Sequence, residues 1–508
     1  MDNSTSRAKQ DKPNLLFIIA DQLRYDFLSC YGAPFIDTPN IDRIADEGVL
    51  YEQAYSPHPV CVSARVALLT GLDIVKTGVT NNGQFLRPDH NEMGMPTWPQ
   101  MLAAEGYHTS SIGKMHFYPW DDAYGFAHRV ICEDKRWLRI EDDYFNFLKH
   151  HGHRKYHGNE HSGYQENRGA VISLLPWELY WDRFVGREAV KFLASYDQKN
   201  PFAAMVSFPG PHCPYDPTNE FVNLFDEADM PLSLPEVEGH HPKLRHINIE
   251  SNKQPWNGVD YTEFNEAHKR KIRAHYAAMV AQIDHEVGEI LKVLEEKNML
   301  DDTLIVFTSD HGDSLGDHNL IGKGTFFESS CHIPLVVRPP RQNFDNKQPR
   351  QPANRRTDLV SLTDVTATLL ASAGVGVPTY MDSLPLPGLG LPTSKRELLI
   401  GMLGGAWMAY DGEKKLAKYG TGETLMFDLV DDPEEQCNLL KEGASPNAWS
   451  QLDMAITTQI MRSIEFGHLD KQVYVSDLSG DAEFGARGWA RPYPNPLGDK
   501  LRRIEDIG

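Results

Sequence analysis

Two acidic clusters in this chain each follow an apolar run. LLFIIA (15–20) leads into Asp21-Gln22, and TLIVFTS (303–309) leads into Asp310-His311-Gly312-Asp313. An aspartate leaving a buried strand either caps the next turn or ligates an ion. Two such clusters, one carrying an imidazole, together offer oxygen and nitrogen donors suited to a single divalent ion. A third candidate is PVCVSARVALLTG (59–71). The stretch after Cys61 reads as a helix, so the thiol sits near a helix N-terminus, where the backbone dipole favours anions and lowers a thiol's pKa. Arg65, four residues on, shares its helical face. On their own these residues suit a packed structural thiol as well as a nucleophile.

Several elements must carry these groups. LLFIIA, AAMVSF (203–208), TLIVFTS and IPLVV (333–337) are continuous apolar runs, the pattern of strands buried on both faces of a central parallel sheet. Between them, residues 265–297 repeat Ile272, Tyr276, Met279, Ile283, Val287, Ile290 and Leu294 at helical spacing, and Thr363 to Ala373 forms a second such stretch. Alternating strands and helices predict an α/β fold with helices on both sheet faces. Ligands of such sheets gather beyond the carboxyl ends of the strands, where both acidic clusters fall. Residues 118–170 and 209–260 lack periodicity and read as long loops walling a substrate. After the Pro/Gly-rich LPLPGLGLP, the segments LLIGML, WMAYDG, KLAKYG and TLMFDL predict a small antiparallel sheet. The expected division is residues 1–390 for the α/β domain and 391–508 for a smaller α+β unit with an irregular tail.

Composition bounds the partners. The 508 residues carry 50 basic and 71 acidic side chains, a net charge of −21, which repels nucleic acid and anionic membranes. An anionic substrate therefore needs a local basic pocket. The run Leu15–Ala20 is far short of the ~20 residues that span a bilayer. The polar N-terminus lacks the apolar core of a secretory signal. Six scattered cysteines without a CxxC pair suit a reducing compartment. The expected location is cytoplasmic.

The segment Cys61-x-x-x-Arg65 with trailing Leu69-Thr70-Gly71 resembles the signature of the formylglycine-dependent sulfatases of the alkaline phosphatase superfamily. Other motifs resemble that family in the same order: PNLLFIIADQ, Gly113-Lys114-Met115-His116, Pro211-His212-x-Pro214, SDHGDSLGDH, Lys323 ahead of FFESSCHIPLVV, and MFDLVDDPEEQCNL. They run from about residue 13 to 440. The resemblance implies an alkaline-phosphatase-like fold and hydrolysis of small-molecule sulfate monoesters. It further implies that an external formylglycine-generating enzyme oxidises Cys61 to formylglycine, the nucleophile. Asp21, Asp310 and His311 would hold one divalent ion, with Gln22 a fourth ligand and Cys61 adjoining it. Calcium is the family's usual ion, and the imidazole of His311 adds manganese as an alternative. Lys114 and Lys323 would contact sulfate oxygens. Arg65 and His116 would position the formylglycine, and His212, alone or with Lys323, would protonate the leaving oxygen. Asn82, in TNNG, would lie near the sulfate or simply form a turn.

Two departures carry alternatives. Ser63 stands where the family has proline, which leaves open an unmodified relative that only binds anions. Asp-Gln and Asp-His also occur in phosphonate monoester and phosphodiester hydrolases, but those have Tyr-x-Thr where this chain has Lys114-Met115-His116. The extra lysine suits a sulfate ester. Trp120, Trp137, Tyr144, Tyr156, Tyr164 and Trp181 are wall or packing candidates, with packing preferred for most. The tail after Phe466 is expected to be exchanged between subunits of a homo-oligomer, a dimer or tetramer, as in choline-sulfatase-like relatives.

Overall fold

A computed structural model describes residues 12–466, apart from 198, 238, 342–353, 442, 444 and 445. The tail expected to mediate subunit exchange lies outside the described residues. Eight strands form the main sheet: β1 (Asn14–Asp21), β2 (Val49–Tyr55), β3 (His108–Gly113), β4 (His128–Ile131), β5 (Phe202–Pro211), β6 (Thr303–Ser309), β7 (Leu335–Arg338) and β8 (Asn354–Ser361). Their order is β4-β3-β5-β1-β6-β7-β2-β8. β1 lies between β5 and β6, parallel to both, so alternate side chains enter two separate cores. Leu16 and Ile18 pack with Phe184 and Ile283 on one face; Phe17 and Ile19 pack with Val66 and Leu369 on the other. Burial of each such side chain contributes about 1.5–3 kcal/mol.

IPLVV does form a strand, but β7 runs antiparallel to both β6 and β2. The reason is its connection. After Ser309 the chain stays at the carboxyl end of the sheet through residues 310–334, with one four-residue helix (Glu328–Cys331), and re-enters from that end. Without a crossover helix the next strand must run backwards. The segments read as long loops also hold helices, Asp143–His150 and Pro242–Asn252.

The helix Glu266–Glu296 begins where the Asn265 side chain accepts the His268 N–H at 3.0 Å. The helix Cys61–Thr70 is buried along its whole length and ends at Gly71, whose φ is +68°. A Cβ there would meet Ser383 Oγ at 2.8 Å and Met381 Sδ at 2.9 Å, so the Thr-Gly pair is a packing requirement.

A second sheet, β9 (Leu399–Leu403), β10 (Ala406–Tyr410), β11 (Lys414–Lys418) and β12 (Thr424–Asp428), is antiparallel in the order β12-β11-β10-β9. One face packs on Tyr55, Phe326 and Phe327, the other on Leu452 and Ile456 of the helix Pro446–Phe466. The buried Lys415 ammonium pairs with Glu328 (2.6 Å) and Glu435 (2.8 Å), tying this sheet to the segment that follows Lys323. Among the described residues, no helix is long and apolar enough to cross a membrane.

Candidate functional site

Parallel pairing of β1 and β6 aligns Ala20 with Ser309, so Asp21 and Asp310 emerge side by side. The Ser309 hydroxyl fastens the two ends: it lies 2.9 Å from Ala20 O and accepts the Leu23 N–H at 2.8 Å. Gln22 takes φ +71°, and its N–H donates to Asp310 Oδ1 at 3.0 Å. Cys61, in the first turn of its helix, places Sγ 3.2 Å from His311 Nε2 and 3.6 Å from Asp21 Oδ1. Arg65 from the same face donates to Asp310 Oδ2 at 2.8 Å and lies 3.5 Å from Asp21 Oδ2. Its other donors engage Lys114 O and Ser207 Oγ, each at 2.9 Å.

Asp21, Cys61, Asp310 and His311 are fully buried, and one donor atom from each lies within 4.8 Å of the others. Two carboxylates suit calcium and the added imidazole suits manganese, and a sulfur or oxygen at position 61 completes a set for one divalent ion. The residues present therefore fit a metal. Burial and the nearby Cys61 sulfur oppose ionisation of Asp21, yet Lys114 and Arg65 hold it below the usual carboxylate range. Burial also opposes ionisation of Cys61, but Lys323, His311 and a hydrogen bond from His116 push that thiol well below its ordinary pKa.

Lys323 Nζ is the hub on the cavity side. It lies 2.9 Å from Cys61 Sγ, 2.7 Å from Gln22 Oε1 and 2.6 Å from His212 Nε2. An imidazole nitrogen that close to an ammonium is an acceptor, so His212 is neutral. Burial, Lys323 and Arg136 together depress its pKa to about 3. Its Nδ1 is 2.7 Å from Cys213 O, which fixes the ring.

The structure thus brings all eleven predicted residues to one end of the sheet, with three qualifications of place. Lys114, expected at the sulfate, is buried behind Asp21, with Nζ 2.6 Å from Asp21 Oδ2 and 3.6 Å from Asp134 Oδ2. Among the described residues, the cavity wall takes in Lys323 but not Lys114. The Gln22 amide is engaged by Lys323 and Asp313, which also accepts from Tyr215 OH at 2.7 Å. Asn82 Oδ1 accepts the Val62 N–H at 3.0 Å, capping the Cys61 helix from outside while lining the cavity; the turn is formed by Asn81 instead. Neither Lys114 nor His116 is on a surface strand. β3 ends at Gly113, where a Cβ would lie 2.0 Å from Ser207 O, and both follow it inward.

Sequence reasoning missed the supporting shell. Asp134 bridges Lys114 and a bidentate Arg136 (Nε 2.9 Å, Nη2 2.5 Å). Glu133 accepts the N–H groups of Met115 and His116, each at 3.0 Å. Asp313 stood visibly in the second acidic cluster, whereas nothing local marks Asp134 or Glu133. Of the aromatic candidates, Tyr144, Tyr164 and Trp181 are core, and Trp137 lines the cavity.

Asp182 steadies His212 from behind. Fully buried, it accepts the Gly210 N–H at 2.9 Å just ahead of Pro211-His212. Burial raises its pKa from 3.8 to about 7, against the pull of the Gly210 N–H and Lys135. The folded protein thus holds this proton more tightly than the unfolded chain. That contribution to stability is complete below about pH 4 and is lost as pH rises through about 7. Asp182→Asn keeps the shape and an acceptor but cannot titrate. Urea melts should show its stability falling less steeply with pH over that interval, by up to about 1.4 kcal/mol per pH unit. Equal slopes in the two proteins would contradict the assignment.

Comparison with known proteins agrees with this arrangement. The family described as Sulfatase matches residues 13–375. An arylsulfatase of Clostridium perfringens is 29% identical over 461 residues, 84% of this chain and 90% of that protein. A choline-sulfatase of Rhizobium meliloti is 28% identical over 507 residues, 94% of this chain and 90% of that protein. The crystal structure of a phosphonate monoester hydrolase of Agrobacterium radiobacter superposes with a TM-score of 0.74 at 24% identity, covering 92% of this chain and 98% of that one; the fold is alkaline-phosphatase-like.

Proposed function

Because the chain belongs to the sulfatase family, we propose that this sulfuric ester hydrolase cleaves small-molecule sulfate monoesters through a formylglycine made from Cys61. The observation that carries the reading is the position of Cys61: first turn of a buried helix, at the floor of a cavity, touching Lys323 on one side and the Asp21/Asp310/His311 cluster on the other. Oxidation of Cys61 by a maturation enzyme would give an aldehyde, hydrated in the resting enzyme. One hydroxyl of the hydrate attacks sulfur, and the bond from sulfur to the alcohol oxygen breaks. The second hydroxyl then loses its proton, the aldehyde carbonyl reforms and sulfate departs; water restores the hydrate. A divalent ion held by Asp21, Asp310 and His311, calcium or manganese, would draw charge from sulfuryl oxygens and acidify the attacking hydroxyl.

The chain's own residues do the rest. Arg65 spans both carboxylates and fixes their separation. Lys114 neutralises Asp21 from behind, and His116, which lines the cavity with Cys61, would take the proton in the breakdown step. Neutral His212 orients Lys323, whose ammonium supplies the proton for the departing alcohol. The free thiols of all six cysteines support a cytoplasmic location, and the working form in this reading is a homo-oligomer.

Gln22 and His311 favour a second reading, hydrolysis of phosphonate monoesters or phosphodiesters at the same site. The test has two stages. The peptide containing residue 61, from protein made in its native host, should weigh roughly 18 Da less than the cysteine form. That protein should then release sulfate from para-nitrophenyl sulfate faster than it cleaves para-nitrophenyl phenylphosphonate. An unmodified thiol would favour an anion-binding relative, and the reverse ester preference would favour the second reading.

A further inference from the structure

The cavity above Cys61 has a volume of 590 Å³, and its outer wall says what kind of alcohol it receives. Among the described residues, no carboxylate lines it, while Lys323 and Arg136 both do. A cationic alcohol would meet the Lys323 ammonium and the Arg136 guanidinium, the latter paired with Asp134 behind it, and no carboxylate on the wall itself, a juxtaposition that costs affinity in a partly desolvated site.

Several of the wall's polar side chains have hydrogen-bonding groups committed inside the protein. Asn248 donates to Ile321 O (2.7 Å) and accepts the Ile321 N–H (3.2 Å). Asn252 donates to Asn248 O, and Asn257 donates to Asn252 Oδ1, each at 2.8 Å. The tyrosine hydroxyls are used too: Tyr261 on Arg168 O (2.9 Å) and Tyr215 on Asp313 (2.7 Å). Not every group is committed: Arg136 Nη1 is loosely held, 3.5 Å from Trp256 O and 3.7 Å from Cys213 Sγ, Thr325 Oγ1 has no hydrogen-bond partner among the described residues, and the Ser251 hydroxyl lines the cavity too.

What the wall leaves exposed is apolar. Ile247 of the helix Pro242–Asn252 is 53% exposed and Trp137 is 46% exposed, and both line the cavity beside Leu244 and Trp256. Large apolar side chains left open to solvent around a polar floor mark the place for an apolar ligand body. Resting on the sulfate-ester reading above, we propose that the substrate's alcohol is uncharged and apolar-bodied, an aryl or branched alkyl group seated on Trp137 and Ile247, and is not a quaternary ammonium.

The test compares alcohols of matched shape. Neohexyl sulfate is the uncharged isostere of choline sulfate, and its alcohol is the poorer leaving group, so chemistry alone favours choline sulfate. With the formylglycine form of the full chain, kcat/KM should nevertheless favour neohexyl sulfate by about ten-fold or more over choline sulfate. Ile247→Asp, which places a carboxylate on an exposed position of the wall, should raise the choline-to-neohexyl ratio by about ten-fold. Choline sulfate matching neohexyl sulfate would overturn the inference, as would an unchanged ratio in the variant. If the formylglycine form cleaves none of these, and not para-nitrophenyl sulfate either, the sulfate-ester reading itself fails. Cleavage of para-nitrophenyl sulfate with the wrong preference among alkyl esters sinks only the inference about the alcohol.

Discussion

Cys61→Ala is expected to lower kcat/KM for para-nitrophenyl sulfate by about 10⁴-fold or more, because it removes the atom from which the nucleophile is made. The environment supplies no substitute. His311, Asp21 and Lys323 all converge on Sγ, but each is engaged elsewhere: His311 Nδ1 contacts Gly312 O at 2.9 Å, Asp21 pairs with Lys114, and Lys323 contacts Gln22 and His212. Residual turnover would rest on electrostatic stabilisation alone. The fold should survive. Alanine is a good helix former, and the loss of one buried sulfur in the first turn leaves Val62 and Val66 packed as before. Thermal melts of the variant should therefore stay close to those of the parent while steady-state sulfate release disappears. Activity retained within about ten-fold would place the nucleophile elsewhere.

How much of this was readable beforehand depends on where each residue's constraint comes from. β1, β5 and β6 are buried on both faces, so their sequences are apolar throughout and announce themselves. β3 is equally central, yet it reads His-Thr-Ser-Ser-Ile-Gly. Its hydroxyls are tolerated because each finds a partner: Thr109 donates to Gly125 O at 2.9 Å, and Ser110 lies 2.9 Å from His128 Nδ1. Pairing of that kind is long-range and leaves no local pattern. β8 was hidden for a different reason. It lies at the sheet edge, and its first half, Asn-Arg-Arg-Thr-Asp, faces solvent.

The site divides along the same line. Cys61, Arg65 and the two acidic clusters were legible because strand ends and a helix start position them, and those have sequence signals. Asp134, Glu133 and Arg136 come from an aperiodic segment, and only the tertiary structure shows that the first two hold Lys114 and His116 in place. The direction of β7 was likewise set by a connection, which the apolar run IPLVV does not encode.

Lys323→Met tests the proton donor, and its signature is a split between substrates. The ammonium has three protons and three partners, Gln22 Oε1, Cys61 Sγ and His212 Nε2, within 2.9 Å. His212 is kept neutral by burial and by its cationic neighbours, so the proton destined for the departing alkoxide resides on Lys323. An alkyl alkoxide is a poor leaving group and needs that proton as the bond to sulfur breaks. A nitrophenolate leaves without it. General acid catalysis contributes about 10²–10⁴-fold where it is needed, so kcat/KM for neohexyl sulfate should fall by about 10³-fold. The fall for para-nitrophenyl sulfate should be only about ten-fold, the part owed to lost charge at the sulfuryl oxygens. Methionine nearly preserves the length of the stem, so the lost charge and proton are the variable. Equal losses on both esters would make Lys323 a binding charge alone and return the acid role to His212. In that case His212→Gln should reproduce the missing split, since glutamine accepts a hydrogen bond from Lys323 but carries no titratable proton.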